Sequence, residues 1–305
     1  MEGNKAARRR ISRRQRQEEI SAWLFLTPSL LVFLVFVIAP VFIVCYLTFF
    51  KYNVITPPQW NEYKNFIRVK MDARIWVTIA NSFKYVVLIV PMHLVFATLL
   101  ALGVNTVKNK AAIYSMRTIL YFPTLLAVSS VALAWKYIFS TDFGILNWFL
   151  GLFGIQKIPW LNSSTWPYFA SMIFSLWKNV GYYFLYIYIG LQGVDRSVLE
   201  AAELDGAVSF RKFFSITLPM ISPTLFFVTI TMMIGCIQIF TEPFLFTNGG
   251  PGDSTRSFAQ YIYQTAFVSQ NYGYACVLAL MMLVIVLTVT LIQFKGSSWV
   301  NYDRE

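Results

Sequence analysis

The chain has 305 residues, of which 57% are hydrophobic, 18% aromatic and only 13% charged, about half the charged share of an ordinary soluble domain. A soluble fold of this length needs more polar surface, so the composition points to a polytopic membrane protein and excludes disordered, collagen-like and disulfide-scaffold classes. The net charge of +11 raises nucleic acid as a partner, but its distribution argues for a membrane instead. Lys5, Arg8, Arg9, Arg10, Arg13, Arg14 and Arg16 stand directly before an apolar run of helix length, which is the pattern of a cytoplasmic anchor.

In chain order, apolar runs predict six membrane helices over residues 22–50, 75–104, 112–138, 166–191, 220–243 and 272–294. Each exceeds the ~20 residues needed to cross about 30 Å of hydrocarbon. The first is too long for a signal-peptide core, and no small-residue cleavage site follows it. Pro40, Pro91 and Pro123 interrupt three of the runs, which neighbouring helices can tolerate by satisfying the freed backbone groups. With the N-terminus inside, the cytoplasmic segments hold fifteen Lys and Arg and the outer ones seven. The bias places both termini in the cytoplasm. The first outer loop opposes it, with Lys51, Lys64, Arg68, Lys70 and Arg74. The expected organisation is all-α: a basic N-terminal segment 1–21, a six-helix membrane domain 22–294 and a short cytoplasmic tail 295–305.

Little in the sequence supports chemistry. Cys45, Cys236 and Cys276 each sit in an apolar run and read as small buried hydrophobes. His93, the only histidine, reads as a packed, hydrogen-bonded imidazole, since zinc sites need several ligands. Lys84, Lys136 and Lys178 read as snorkelling cations near helix ends. An intramembrane enzyme would need clustered acid–base groups. An ion-coupled transporter would need intramembrane ionisable residues and inverted repeats. There is no Gly-x4-Gly-Lys-Ser/Thr phosphate loop, and Gly-Gly-Pro-Gly at 249–252 reads as a turn.

The loop 192–219 is the most informative segment. Ser197 and Glu200 have capping-box spacing, and Gly206 can close a helix in the left-handed region. A helix over 197–205 follows, with Val198, Ala201, Ala202 and Asp205 on one side and small side chains that admit close approach. Spacing alone leaves open whether this helix packs on its own bundle or on another protein.

Glu200-Ala201-Ala202, then Gly206, then Ile216-x-Leu218-Pro219 resembles the EAA motif of the membrane subunits of binding-protein-dependent ABC importers. Asp205-Gly206-Ala207 fits the carbohydrate-uptake branch. So do Phe143-Gly144-x-x-Asn147, Trp177-Lys178-x-x-Gly181, Thr247-Asn-Gly-Gly-Pro251, Tyr261-x-Tyr263-x-x-Ala266-Phe267 and Tyr272-Gly273-Tyr274-Ala275. The resemblance covers about residues 20–295 and implies the type I importer transmembrane domain. It implies a bacterial cytoplasmic-membrane location and a non-catalytic subunit without cofactors of its own. ATP and Mg would be bound by two copies of a separate ATPase subunit. A second permease and an extracytoplasmic solute-binding protein would complete the importer, and the substrate would be a sugar or oligosaccharide. Glycerol phosphate and polyols are the alternative substrates. By this resemblance Ser197, Glu200, Ala201, Ala202, Asp205 and Gly206 would dock the ATPase. Arg211 and Lys212 would add rim contacts or plain positive-inside anchoring.

Two predicted spans carry polar faces, which inside a membrane suggest function. The fourth has Asn179, Tyr182, Tyr183 and Tyr186, and the fifth has Thr231, Gly235, Gln238, Thr241 and Glu242. The resemblance puts the sugar site between them, with Asn179 and Tyr182 on one side and Met232, Gly235, Cys236 and Ile239 opposite; Tyr186, on the same polar face, and Gln238 join as further polar members. Cys236 and Ile239 are apolar where a sugar prefers polar groups. Interhelical packing is the competing reading of both faces. Glu242 is expected at the outer mouth, available to pair across an interface.

Overall fold

The computed structural model describes residues 13–206 and 209–300. Most of the N-terminal basic cluster, Ala207, and the end of the tail lie outside the described residues. The chain is mostly helical. Its helices are α1 (Arg13–Phe33), α2 (Ala39–Leu47), α3 (Lys64–Met71), α4 (Ala73–Asn105), α5 (Lys110–Leu125), α6 (Val128–Ile138) and α7 (Ile145–Leu152). They continue as α8 (Trp166–Gln192), α9 (Arg196–Leu204), α10 (Ser209–Lys212), α11 (Leu218–Met220), α12 (Ser222–Ile237), α13 (Phe258–Tyr263) and α14 (Tyr272–Lys295). Two short strands, β1 (Phe50–Lys51) and β2 (Gln59–Trp60), pair antiparallel beside α3.

Among the described residues three stretches are long and apolar enough to cross a membrane: Gln17–Leu47, Ala73–Asn105 and Tyr272–Lys295. Two bent pairs raise the number to five. α5 and α6 meet at 95°, and the segment Phe213–Met220 meets α12 at 69°. Five of the six expected spans meet this test, and two runs differ from the expectation in detail. The fourth run forms the 27-residue helix α8, long enough to span, but its Lys178, Asn179 and tyrosines keep it less apolar than the others. The fifth run does not reach residue 243 as one helix. α12 ends at Ile237, and a π-turn, Pro243–Thr247, follows the break.

The prolines act unequally. Pro91 is absorbed within the unbroken 33-residue α4, Pro40 opens α2 just after a π-turn over Leu34–Ile38, and Pro123 lies two residues before the end of α5. Only the last stands at a sharp bend, where loss of an N–H and a ring clash weaken the final turn.

The core is built on α4 packed along α8, with α12 and α5 against them. Phe184, Ile187, Met232, Val228 and Ala97 lie in its centre at 0–1% exposure. Gly181 sets the α5–α8 distance: a Cβ there would stand 1.9 Å from the Leu120 carbonyl oxygen. This is the small-residue contact by which helices approach closely without a hydrophobic drive. Buried polar groups join the elements as well. His93 Nδ1 lies 3.0 Å from the Ile89 carbonyl and Nε2 3.1 Å from that of Ser175, so the imidazole is packed and hydrogen-bonded as expected. Its ring abuts Tyr183 edge-on. The three cysteines are only half-buried, less enclosed than their apolar runs suggested.

At the end of the bundle opposite α9, Asp72 caps α4 by accepting from the Arg74 N–H at 3.1 Å. It also accepts from the hydroxyls of Tyr261 and Tyr274, which joins α4 to α13 and α14. Burial and that neighbouring carboxylate push the Tyr261 phenol up to about 12. The segment between α12 and α13 is strapped to the same end. Asn81 donates to the Asp253 carbonyl at 2.7 Å, Tyr85 to Thr255 at 3.0 Å and Tyr168 to Ser254 at 2.6 Å.

Candidate functional site

The loop after α8 begins where Gln192 donates to the Asn105 side chain at 2.6 Å, joining the ends of α8 and α4. α9 follows as a separate nine-residue helix. Its cap is Asp195, not the expected Ser197. The Asp195 carboxylate accepts the Ser197 N–H at 2.9 Å, so Ser197 lies inside the first turn. An anion also complements the helix N-terminus better than a hydroxyl. That hydrogen bond holds the Asp195 carboxyl below the usual aspartate range. Gly206 has φ +77° and stops the helix as expected.

The face of α9 turned to solvent differs in detail from the expectation. Ser197, Glu200, Ala201, Asp205 and Gly206 are exposed, and Leu204 is 90% exposed. Ala202, read as part of the same approachable side, is buried at 6% against its own chain, so it braces α9 while Ala201 faces out. Lys212 pairs with Glu203 and holds α9 to the returning chain, whereas Arg211 stays exposed.

The second candidate cluster lies on α8 and α12. Asn179 Nδ2 donates to Ser175 Oγ at 3.4 Å, and the Tyr182 hydroxyl donates to that of Tyr186 at 3.3 Å. All three side chains are half-buried, while Gly235 and Gln238 are exposed. Tyr186 packs against Phe227 with ring centroids 5.4 Å apart, which continues this face onto α12. Met232 and Ile239, by contrast, are 1% and 7% exposed and pack into the subunit's own core, with half-buried Cys236 between them on the same helix side. Of the eight predicted lining residues, Asn179, Tyr182, Tyr186 and Cys236 are half-buried, Gly235 and Gln238 are exposed, and Met232 and Ile239 are buried in the core. Tyr183, on the expected polar face, turns inward to His93.

Two further corrections concern charge. Glu242 is 8% exposed within the subunit, so it is enclosed by its own chain and not presented at an interface. Lys178 is not a snorkelling cation. It is 5% exposed in the middle of α8. A cavity of about 910 Å³ lies at the far end of the bundle, lined by Lys136, Asp142, Asn162, Phe244 and Asn248 among others.

The chain is thus a bundle of helices long and apolar enough to span a membrane, with a capped helix on the loop that follows α8. Residues 93–294 match the family described as binding-protein-dependent transport system inner membrane component. The chain belongs to that family. The permease is 36% identical to the probable ABC transporter permease protein YesP of Bacillus subtilis, covering 100% of this chain and 99% of that one. It is 31% identical to the sulfoquinovosyl glycerol transport system permease protein SmoG of Agrobacterium fabrum over 91% of this chain and 90% of that one. It is 30% identical to the lactose transport system permease protein LacF of Rhizobium radiobacter over 93% and 96%. In fold it is similar to a chain of a bacterial ABC transporter involved in the import of the acidic polysaccharide alginate. The TM-score is 0.79 at 21% identity, covering 93% of this chain and 97% of that one.

The permease is therefore an inner-membrane ABC transporter subunit of the binding-protein-dependent kind. The exposure of Leu204, the Asp72 cap and the burial of Lys178 were not expected from the sequence. The signal for Lys178 was present in Trp177-Lys178-x-x-Gly181, a stretch that resembled the family without a stated purpose.

Proposed function

We propose that this permease forms one half of the translocation path of an ATP-driven importer for a neutral sugar or oligosaccharide. A second, similar permease forms the other half. A solute-binding protein delivers the sugar from outside, and two copies of an ATPase subunit dock on the cytoplasmic face. The observation that carries this reading is α9: a capped nine-residue helix that exposes Glu200, Ala201 and Leu204 at the end of α8, the helix that bears Asn179 and Tyr182. Movement imposed on α9 reaches the polar face through one continuous helix.

Tyr182 and Tyr186 suit a sugar because phenol rings offer flat apolar faces and a polar tip. The choice of a neutral sugar over a phosphorylated one rests on charge. Lys178 is the cation nearest this face in sequence, and its ammonium is occupied by backbone carbonyls. Relatives named for lactose and for sulfoquinovosyl glycerol support a glycan-like substrate. The reading is tested by uptake of labelled sugars into vesicles holding the assembled importer and its binding protein. Transport of glycerol phosphate in preference to any sugar would replace the neutral-sugar assignment.

A further inference from the structure

The ammonium of Lys178 has three N–H donors and three carbonyl partners: Pro123 at 3.0 Å, Thr124 at 3.1 Å and Leu126 at 2.9 Å. Thr124 returns a bond, its hydroxyl donating to the Lys178 carbonyl at 3.0 Å. These partners lie where α5 ends and the chain turns by 95° into α6. A helix end leaves its last carbonyls without intrahelical partners, and a buried cation without acceptors is costly. Here the carbonyls accept from the ammonium, that of Pro123 accepting also from the Leu126 N–H at 3.2 Å, and the negative end of the α5 dipole adds to the attraction. One turn along α8, Gly181 lies against the Leu120 backbone. Lys178 and Gly181 therefore bind the elbow and the body of α5 to one face of α8. Asn179 and Tyr182 follow each of them by one residue, about 100° around the helix.

We infer that Lys178 is a positioning residue for transport: a tethered cation that fixes the elbow at 123–127 against α8, and with it the wall beside Asn179 and Tyr182. Broken spans at transport paths must have their freed backbone groups satisfied from elsewhere. Here a side-chain ammonium does this in place of a bound ion. The elbow can swing away from α8 only if these three bonds and the Thr124 return bond break together. The tether stands on its own geometry, and its effect on sugar passage rests on the cavity reading above.

The test uses the assembled importer in nanodiscs, with spin labels replacing Tyr137 on α6 and Ile189 on α8, which are 80% and 60% exposed. The native residue and Lys178→Arg should give one narrow distance. Lys178→Met, which keeps the length and removes the charge, should broaden it and lower maximal uptake at least tenfold with the complex still recovered. Thr124→Val, which removes only the return bond, should shift both readouts the same way by less. An unchanged distance in Lys178→Met, or a broadened one with normal uptake, overturns the proposal. So does loss of assembly in both Lys178 variants with a wild-type Thr124→Val, which would make Lys178 a folding residue only. Asn179→Leu separates the two readings. If it transports normally while Lys178→Met is loosened and impaired, the tether stands and the cavity reading falls.

Discussion

Tyr182 is the residue on which the cavity reading bears most heavily. Within the subunit its hydroxyl reaches Tyr186 through a long bond, so a sugar hydroxyl in the same place would be a better partner. Removing that partner from a dry site costs roughly 1–3 kcal/mol, a factor of about 5 to 150 in binding at tenfold per 1.4 kcal/mol. Tyr182→Ala should therefore lower uptake by that order while the complex is recovered in normal amount. Asn179→Leu should act the same way with less loss of packing. Poor recovery of the complex would instead make these residues interhelical glue. The cap of α9 gives a second residue-scale expectation. Asp195→Ala should speed amide hydrogen exchange in α9 more than Ser197→Ala does, because the bond to the Ser197 N–H comes from Asp195. Its carboxyl is held below the ordinary range, so its support is present above that range and lost as pH falls through the lowered value. Protection of the α9 amides, that is, exchange corrected for the intrinsic pH dependence of the rate, should fall on acidification in the native chain and not in Asp195→Ala.

At the scale of elements, two glycines hold positions where a side chain is costly. Gly206 has φ +77°, which costs an ordinary L-residue about 1–2 kcal/mol. Gly206→Ala should loosen the end of α9 by that amount, seen as faster exchange. Gly206→Pro should do more, since proline cannot adopt a positive φ. At Gly181 a methyl group meets backbone, so α5 and α8 must separate. Gly181→Ala should lower the thermal stability of the assembled importer, by about 1–3 kcal/mol for an overpacked core contact. Full stability would show that α5 yields without cost.

The helices were legible in the sequence because bilayer thickness dictates apolar run length. The breaks were less so. Pro91 and Pro123 look alike in sequence, yet only Pro123 stands at a bend, and there Lys178 on another helix donates to the carbonyls at the helix end. Likewise the periodicity that grouped Asn179, Tyr182 and Tyr186 was sound, while Met232 and Ile239 were placed by resemblance and lie in the core. Periodicity finds a helix face, but only the packed neighbours decide whether that face looks outward. Ala202 turned inward for the same reason.

For the whole molecule, the fold places a polar face in the bundle and an exposed helix, α9, on the loop that follows the same long helix, α8. On the proposed function these are the two ends of one coupling, from ATPase to substrate path, and contact would fall on the residues of α9 that are exposed. A cysteine at Ala201 or Leu204 should crosslink to an ATPase subunit, and one at Ala202, enclosed by its own chain, should do so poorly. The most direct measurement is ATP-driven sugar uptake by the importer reconstituted with its binding protein, comparing the native chain with Glu200→Lys. The native importer should accumulate sugar only when ATP and binding protein are both present. Glu200→Lys should remain inserted and assembled with its partner permease but neither accumulate sugar nor raise ATP hydrolysis on adding loaded binding protein. Uptake by Glu200→Lys at the native rate, or sugar accumulation by the native complex without ATP, would contradict the account.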